Sequence, residues 1–213
     1  MLLSPKIQRL IDLFSKLPTI GPRTSGRFVF YLLKQPKSEI DQLIRGLEDL
    51  KSEVKICSFC FNPFEGKSTL CPICSDKTRD TSQLCVVEKE TDLIAIEQTR
   101  KYHGLYFILG GTVYRLREDD LRKLKTAPLL ERIKNPGRLI TQAQGFEEII
   151  MAFNPTTDGQ STILYLERLM AGFFSKYGLE DIKISRLGLG LPVNGEMEYA
   201  DDETLISALE SRK

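Results

Sequence analysis

Four of the five cysteines in this sequence, Cys57, Cys60, Cys71 and Cys74, form two Cys-x2-Cys pairs separated by ten residues. Each pair is a knuckle that presents two thiolates to one side. Two knuckles close a tetrahedron around a single ion, with sulfur about 2.3 Å from zinc. Iron in a rubredoxin-like site is the alternative, because the same four-thiolate geometry holds it. Two disulfides are the competing use of four cysteines, but the odd fifth, Cys85, and the tight clustering favour metal ligation in a reducing compartment. Four protein ligands leave no open coordination position, so the ion is structural. Cys85 falls in an apolar run and reads as core.

A second constellation is the run Leu17-Pro18-Thr19-Ile20-Gly21-Pro22-Arg23, continued by Thr24, Ser25, Gly26 and Arg27. A tight glycine turn here joins two helices. Backbone N–H groups at the start of the second, with Arg23 and Arg27 one turn apart, can hold a nucleic-acid phosphate without reading bases. An ordinary helix corner with two solvated arginines has the same spacing.

Carboxylates supply a third. Glu88 ends the strand-like run Val86-Val87, and Asp158 lies in the turn Asn154-Pro155-Thr156-Thr157-Asp158-Gly159-Gln160. Acids at the carboxyl ends of adjacent parallel strands can hold magnesium for phosphoryl transfer. Two acids are a thin set for that work, and helix caps or surface turns explain them as well. The glycines at 188, 190 and 195 are not followed by Gly-Lys-Ser/Thr, which excludes a phosphate loop there. His103, the single histidine, has no neighbouring cysteine or serine and so suggests no nucleophilic catalysis.

The elements that must carry these residues follow from periodicity. Ile7, Leu10, Ile11 and Phe14 repeat as one helix face, closed by Pro18. A second helix, capped by Thr24 or Ser25, runs through Phe28, Val29, Leu32 and Leu33 to Pro36. A third, capped by Ser38, carries Ile40, Leu43, Ile44, Leu47 and Leu50 on one face. The cysteine segment is too polar to fold by burial alone, which is the usual reason a short segment uses a metal. Beyond residue 83 the pattern alternates: strands at 84–87, 105–109, 148–153 and 182–184, and helices at 92–98, 118–133 with a break near Pro128, 160–176 and 202–211. Such alternation predicts a parallel sheet covered by helices.

Composition sets the outer limits. The chain has 213 residues, 41% of them hydrophobic and 28% charged, with a net charge of only +1. It can bury a core, and as a whole it is not biased toward polyanions. Residues 1–55 carry ten basic and six acidic side chains, a local excess of four. No stretch approaches the roughly 18 apolar residues of a membrane helix, and the first residues lack a secretory pattern, so a cytoplasmic location is expected.

These parts stand in one order: hairpin-like turn, four-cysteine finger, sheet region with Val-Val-Glu and Asn-Pro-Thr-x-acid-Gly, and Gly-Leu-Pro-Val-x-Gly-x-x-Glu-Tyr-Ala-Asp at 190–201. That order, with the closing motif, resembles the RecR family of bacterial recombination mediators over nearly the whole chain. The resemblance implies an α+β chain of several parts: a helix-hairpin-helix region at 1–55, a C4 zinc finger at 56–80, an α/β Toprim domain at 81–180 and a C-terminal segment with a helix at 181–213. It implies a homotetrameric ring that embraces DNA and acts, without catalysis, with RecO and RecF in loading RecA onto DNA coated by single-strand-binding protein. Arg23 and Arg27 match the DNA-facing basic positions, the four cysteines the zinc ligands, and Glu88 and Asp158 the Toprim acidic positions. A Toprim enzyme, whether nuclease, primase or topoisomerase, using magnesium at Glu88 and Asp158 is the alternative.

The sequence departs from the family pattern at several points. Thr19 replaces the first hairpin glycine, and Asp158 and Gln160 stand where two glutamates are more usual. The loop after Gly110-Gly111 is rewritten as 112–117, the stretch 125–145 is longer than usual, and Leu189 replaces an arginine. The changes at 112–145 imply an altered partner surface.

Overall fold

A computed structural model describes residues 3–113, 118–188 and 202–210. The motif at 190–201, Leu189 and loop positions 114–117 lie outside the described residues. The chain divides into two compact units, Met1–Val54 and Lys55–Lys213.

In the first unit, α1 (Pro5–Phe14) and α2 (Pro22–Leu32) pack against each other, and α3 (Lys37–Glu53) follows. Both α1 and α2 open on a proline, whose fixed φ suits the first helical turn and whose missing N–H would have no partner there. This moves the start of α2 ahead of the expected caps: Gly21 is the N-cap, not Thr24 or Ser25. Ser25 instead is buried, where its hydroxyl lies 2.9 Å from that of Ser15 and donates to the Gly21 carbonyl at 3.1 Å. Likewise α3 begins at Lys37 with Pro36 as its cap, two residues ahead of Ser38. Ile11 and Val29 are buried, and Phe14 meets Phe28 edge to face with centroids 6.2 Å apart.

The turn between α1 and α2 carries a local strain that the sequence foreshadows. Thr19 has φ 64°, in the left-handed region, at the position where the resemblance implies glycine. A side chain with a branched Cβ costs about 1–2 kcal/mol there, more than the roughly 0.5–1 kcal/mol of extra chain entropy a glycine must lose. Thr19→Gly is therefore expected to stabilise the α1–α2 pair by up to about 1 kcal/mol. Slower native-state hydrogen exchange of the α1 and α2 amides would report it; faster exchange would mean that the Thr19 hydroxyl, 2.6 Å from the Pro18 carbonyl, outweighs the strain.

The second unit opens with a small sheet, β1 (Val54–Ile56) paired with β2 (Pro63–Glu65), and a single turn of helix, α4 (Pro72–Ser75). The main sheet has the strands β3 (Asp80–Val87), β4 (Gly104–Ile108), β5 (Glu148–Ala152) and β6 (Lys183–Arg186), in the order β4-β3-β5-β6. All three pairings are parallel, with Cys85 opposite Tyr106 on one side and Ile150 on the other. Helices α5 (Glu90–Gln98), α7 (Thr126–Lys134) and α8 (Thr157–Tyr177) supply the crossovers, with α6 (Glu118–Lys123) before α7 and α9 (Asp202–Glu210) near the end. The strand–helix alternation thus gives the expected parallel sheet.

The break expected near Pro128 falls at residues 124–125. The helix stops at Lys123 and restarts at Thr126, while Pro128 sits in the first turn of α7, where its missing N–H costs nothing. The break lets the Lys125 amide donate to the Leu109 carbonyl at 2.9 Å, anchoring α7 beside the end of β4. One core of buried residues runs from Cys57 and Phe59 through the apolar run of β3 and residues 105–109 to Leu166 and Met170 on α8.

Candidate metal centre and nucleic-acid interface

The four cysteines 57, 60, 71 and 74 converge. Their sulfurs all lie within 4.8 Å of one another, and all four residues are buried. A tetrahedron of sulfurs about 2.3 Å from its centre has edges of about 3.8 Å, so the spacing fits one ion. None of the four forms a disulfide. Hydrogen bonding among the four sulfurs, first of all with Cys60, holds Cys57 toward the thiolate, and the same interaction with Cys57 pushes Cys60 and Cys74 far up. Four neighbouring sulfurs cannot all ionise without a cation, and a bound divalent ion removes that conflict by displacing the protons. Cys85 lies apart, buried in β3, with its thiol pushed up to about 12 by burial, as a core residue should be.

Backbone geometry aims the sulfurs. The Asn62 amide donates to Cys60 Sγ at 3.4 Å and the Cys71 amide to Cys57 Sγ at 3.3 Å, which offsets thiolate charge. The first knuckle turns back through Phe61, whose φ of 66° is again the left-handed conformation. The turn is locked by the Phe61 amide on the Cys57 carbonyl at 3.1 Å and the Cys57 amide on the Asn62 carbonyl at 3.0 Å.

The Phe61 ring explains how a residue other than glycine is tolerated there. It meets Phe107 of β4 edge to face at 5.4 Å, while Lys125 Nζ lies 5.1 Å and the Arg132 guanidinium 5.6 Å from its centroid. Arg132 also donates to the Ser58 carbonyl at 2.8 Å, and the Ile108 amide donates to the Cys60 carbonyl at 3.0 Å. On the exit side Arg79 pairs with Glu97 of α5 and donates to the Gly104 carbonyl at 3.3 Å. The knuckles are thereby fastened to the sheet. Phe61, Lys125 and Arg132 carry no signal in the sequence, since Arg132 is 74 residues from the carbonyl it holds.

Arg23 and Arg27 lie in the first unit, both exposed, on the first two turns of α2 after the Gly21 cap. Among the described residues no carboxylate pairs with either. With Gly26, Phe30, Tyr31 and Lys34 they line a shallow surface cavity of about 610 Å³.

Glu88 follows the last residue of β3, and Asp158 sits in the first turn of α8. Glu88 accepts a hydrogen bond from Asn154 Nδ2 at 3.2 Å. Among the described residues the only group of three or more metal-type ligands that converges is the cysteine set. Gly159 is required where it stands, because a Cβ there would lie 2.0 Å from the Asn154 carbonyl oxygen. Thr156 caps α8, its hydroxyl accepting from the Gly159 amide at 3.1 Å.

Comparison with known proteins adds three family matches: "RecR, helix-hairpin-helix" at residues 7–51, "Toprim domain" at 82–188 and "RecR, C-terminal" at 190–213. Curated relatives match almost end to end. The recombination protein RecR of Bifidobacterium animalis subsp. lactis is 43% identical over 207 residues, spanning 97% of this chain and 95% of the relative. That of Bifidobacterium adolescentis is 40% identical with the same coverage of both chains, and that of a Cyanothece species is 37% identical, again with that coverage.

Proposed function

The chain belongs to the RecR family of recombination proteins, and on that premise we propose that it is a non-catalytic DNA-binding clamp of recombinational DNA repair. The observation that carries the proposal is the pair Arg23 and Arg27, exposed and unpaired by any described carboxylate, on the helix that follows the hairpin turn. Guanidinium groups so placed take phosphate oxygens, which positions DNA without reading its sequence. In the division by function, 1–55 is the helix-hairpin-helix region, 56–80 the zinc finger, 81–180 the Toprim domain and 181–213 the C-terminal segment. Cys57, Cys60, Cys71 and Cys74 hold one structural zinc ion in the reducing cytoplasm. Among the described residues no helix is long and apolar enough to cross a membrane.

The clamp is a ring of several copies, four by family resemblance. Support comes from α3, which buries none of its residues and leaves Leu43, Ile44, Leu47 and Leu50 exposed on one face. A face of that kind suits a second copy of the chain. Several copies would present Arg23 and Arg27 together, so that weak phosphate contacts add although the chain's net charge is only +1. By the same resemblance the partners are RecO and RecF, in the loading of RecA onto DNA coated by single-strand-binding protein. Glu88 and Asp158 keep the Toprim acidic positions without supporting cleavage. Glu88 is engaged by the Asn154 amide, and no third acid joins the two among the described residues.

Mass measurement of the native protein with and without DNA, followed by incubation with DNA and magnesium, tests this. The expected result is an oligomer that gains DNA and leaves it intact. A stable monomer that still binds DNA removes the ring, and cleavage or relaxation abolished by Glu88→Gln replaces the clamp with an enzyme.

A further inference from the structure

Two faces of the N-terminal helical unit differ sharply in chemistry. One groove, about 460 Å³, is lined by side chains such as Leu10, Phe14, Leu33, Leu43 and Leu47, with Lys6 as its one charged group. The other, the cavity beside Arg23 and Arg27, interleaves cations with aromatic rings. Positions 23, 27 and 31 are four residues apart and share one face of α2, and Lys34 follows one turn later. Tyr31 therefore stands in line with the cations, and 60% of it is exposed. Gly26 lines the cavity without adding a side chain to it. No described carboxylate lines this cavity.

We infer that Tyr31 is a stacking platform for an unpaired base, so that this face of α2 selects single-stranded over double-stranded nucleic acid. The inference rests on the DNA-binding reading of Arg23 and Arg27 and extends it to the class of strand. Phosphate contacts alone do not favour the single strand, because a duplex presents its phosphates at higher density. An aromatic ring in the line of the cations does. In a duplex the base faces are already stacked inside the helix, whereas in a single strand any base can turn onto an exposed ring while its phosphates meet the neighbouring arginines. Stacking of this kind tolerates every base, in keeping with sequence-independent binding. The apolar groove has no such complement of charge and suits a protein surface.

The test compares the binding of full-length wild-type protein, Tyr31→Ala and Tyr31→Phe to labelled oligothymidylate, to an abasic strand of equal length and to a duplex of equal length. Stacking lost on alanine substitution corresponds to about 5- to 150-fold in affinity. Tyr31→Ala should weaken oligothymidylate binding by that factor and leave the abasic strand and the duplex within about twofold, while Tyr31→Phe keeps wild-type affinity for all three. Unchanged oligothymidylate binding by Tyr31→Ala overturns the inference and leaves the DNA-binding reading standing. An equal loss on all three ligands, or a fall in native mass, overturns it in favour of a phosphate contact or a surface between copies. Wild-type protein that binds none of the three removes the DNA-binding reading and this inference with it.

Discussion

Cys57→Ser is expected to lose its metal and to lower the melting temperature by about 8–20 °C, the equivalent of roughly 4–5 kcal/mol at about 2–4 °C per kcal/mol for a chain of this size. The effect is large because the cysteines are not an appendage. They are buried in the same core as β3 and β4. Losing one thiolate leaves three neighbouring sulfurs without the fourth ligand that closes the tetrahedron. The Cys57 backbone also closes the Phe61 turn at both ends, so its displacement loosens the Phe61 ring from Phe107, Lys125 and Arg132. Removal of the metal ion from the wild-type protein by a strong chelator should reproduce the loss. Acid should as well: binding requires the sulfurs to give up their protons, so falling pH drives protons on and metal off. Metal analysis and thermal melts of the variant and the wild type read the result. Folding or assembly should fail first, with DNA binding lost as a consequence. A Cys57→Ser protein that melts normally, keeps its native mass and yet does not bind DNA would show the finger to be a contact surface.

Charge reversal at α2 should have the other large effect. Arg23→Glu combined with Arg27→Glu changes each chain by four charge units, and in the proposed ring every changed site would face the same ligand. Each phosphate contact contributes about 0.7–0.9 to the slope of log affinity against log salt. The wild type should therefore lose affinity steeply as salt rises, and the double variant should bind at least about 100-fold more weakly at low salt with a flatter dependence. Both arginines are exposed and pair with no described carboxylate, so the fold and native mass should be unchanged. Anisotropy titrations across a range of salt concentrations provide the measurement. If DNA retention survives the double reversal, the protein is a zinc-bearing adaptor that meets proteins alone.

What the sequence revealed, and what it did not, follows from the range of the interactions. Helices α1 to α3 were legible because their apolar residues repeat every three or four positions. The parallel sheet was legible because its strands are short, apolar and separated by helices. The cysteine centre was legible because its spacing is itself the geometry of two knuckles. Thr19 was marked by its departure from glycine, and its left-handed φ gives that departure a physical meaning. Local starts and stops were less accessible, since Pro22 and Pro36 compete with the hydroxyl caps that follow them. The supports of the metal centre left no trace: Phe61 reads as one more aromatic residue, and Arg132 and Lys125 lie in the stretch of weakest periodicity. Only the folded chain brings those two cations to the ring and the knuckle.

The bond from the Ile108 amide to the Cys60 carbonyl has a consequence beyond the metal site itself. β4 is one of the two outer strands of the four-stranded sheet, and every one of its residues is buried. An apolar outer strand with free amides is a template for pairing with another chain. The knuckle shields it, occupying one of those amides and covering Phe107 with Phe61. Metal loss therefore does more than weaken the fold: it bares a sticky border. Newly made chains starved of the metal should collect as insoluble aggregates, which would make metal supply during synthesis a condition for soluble protein.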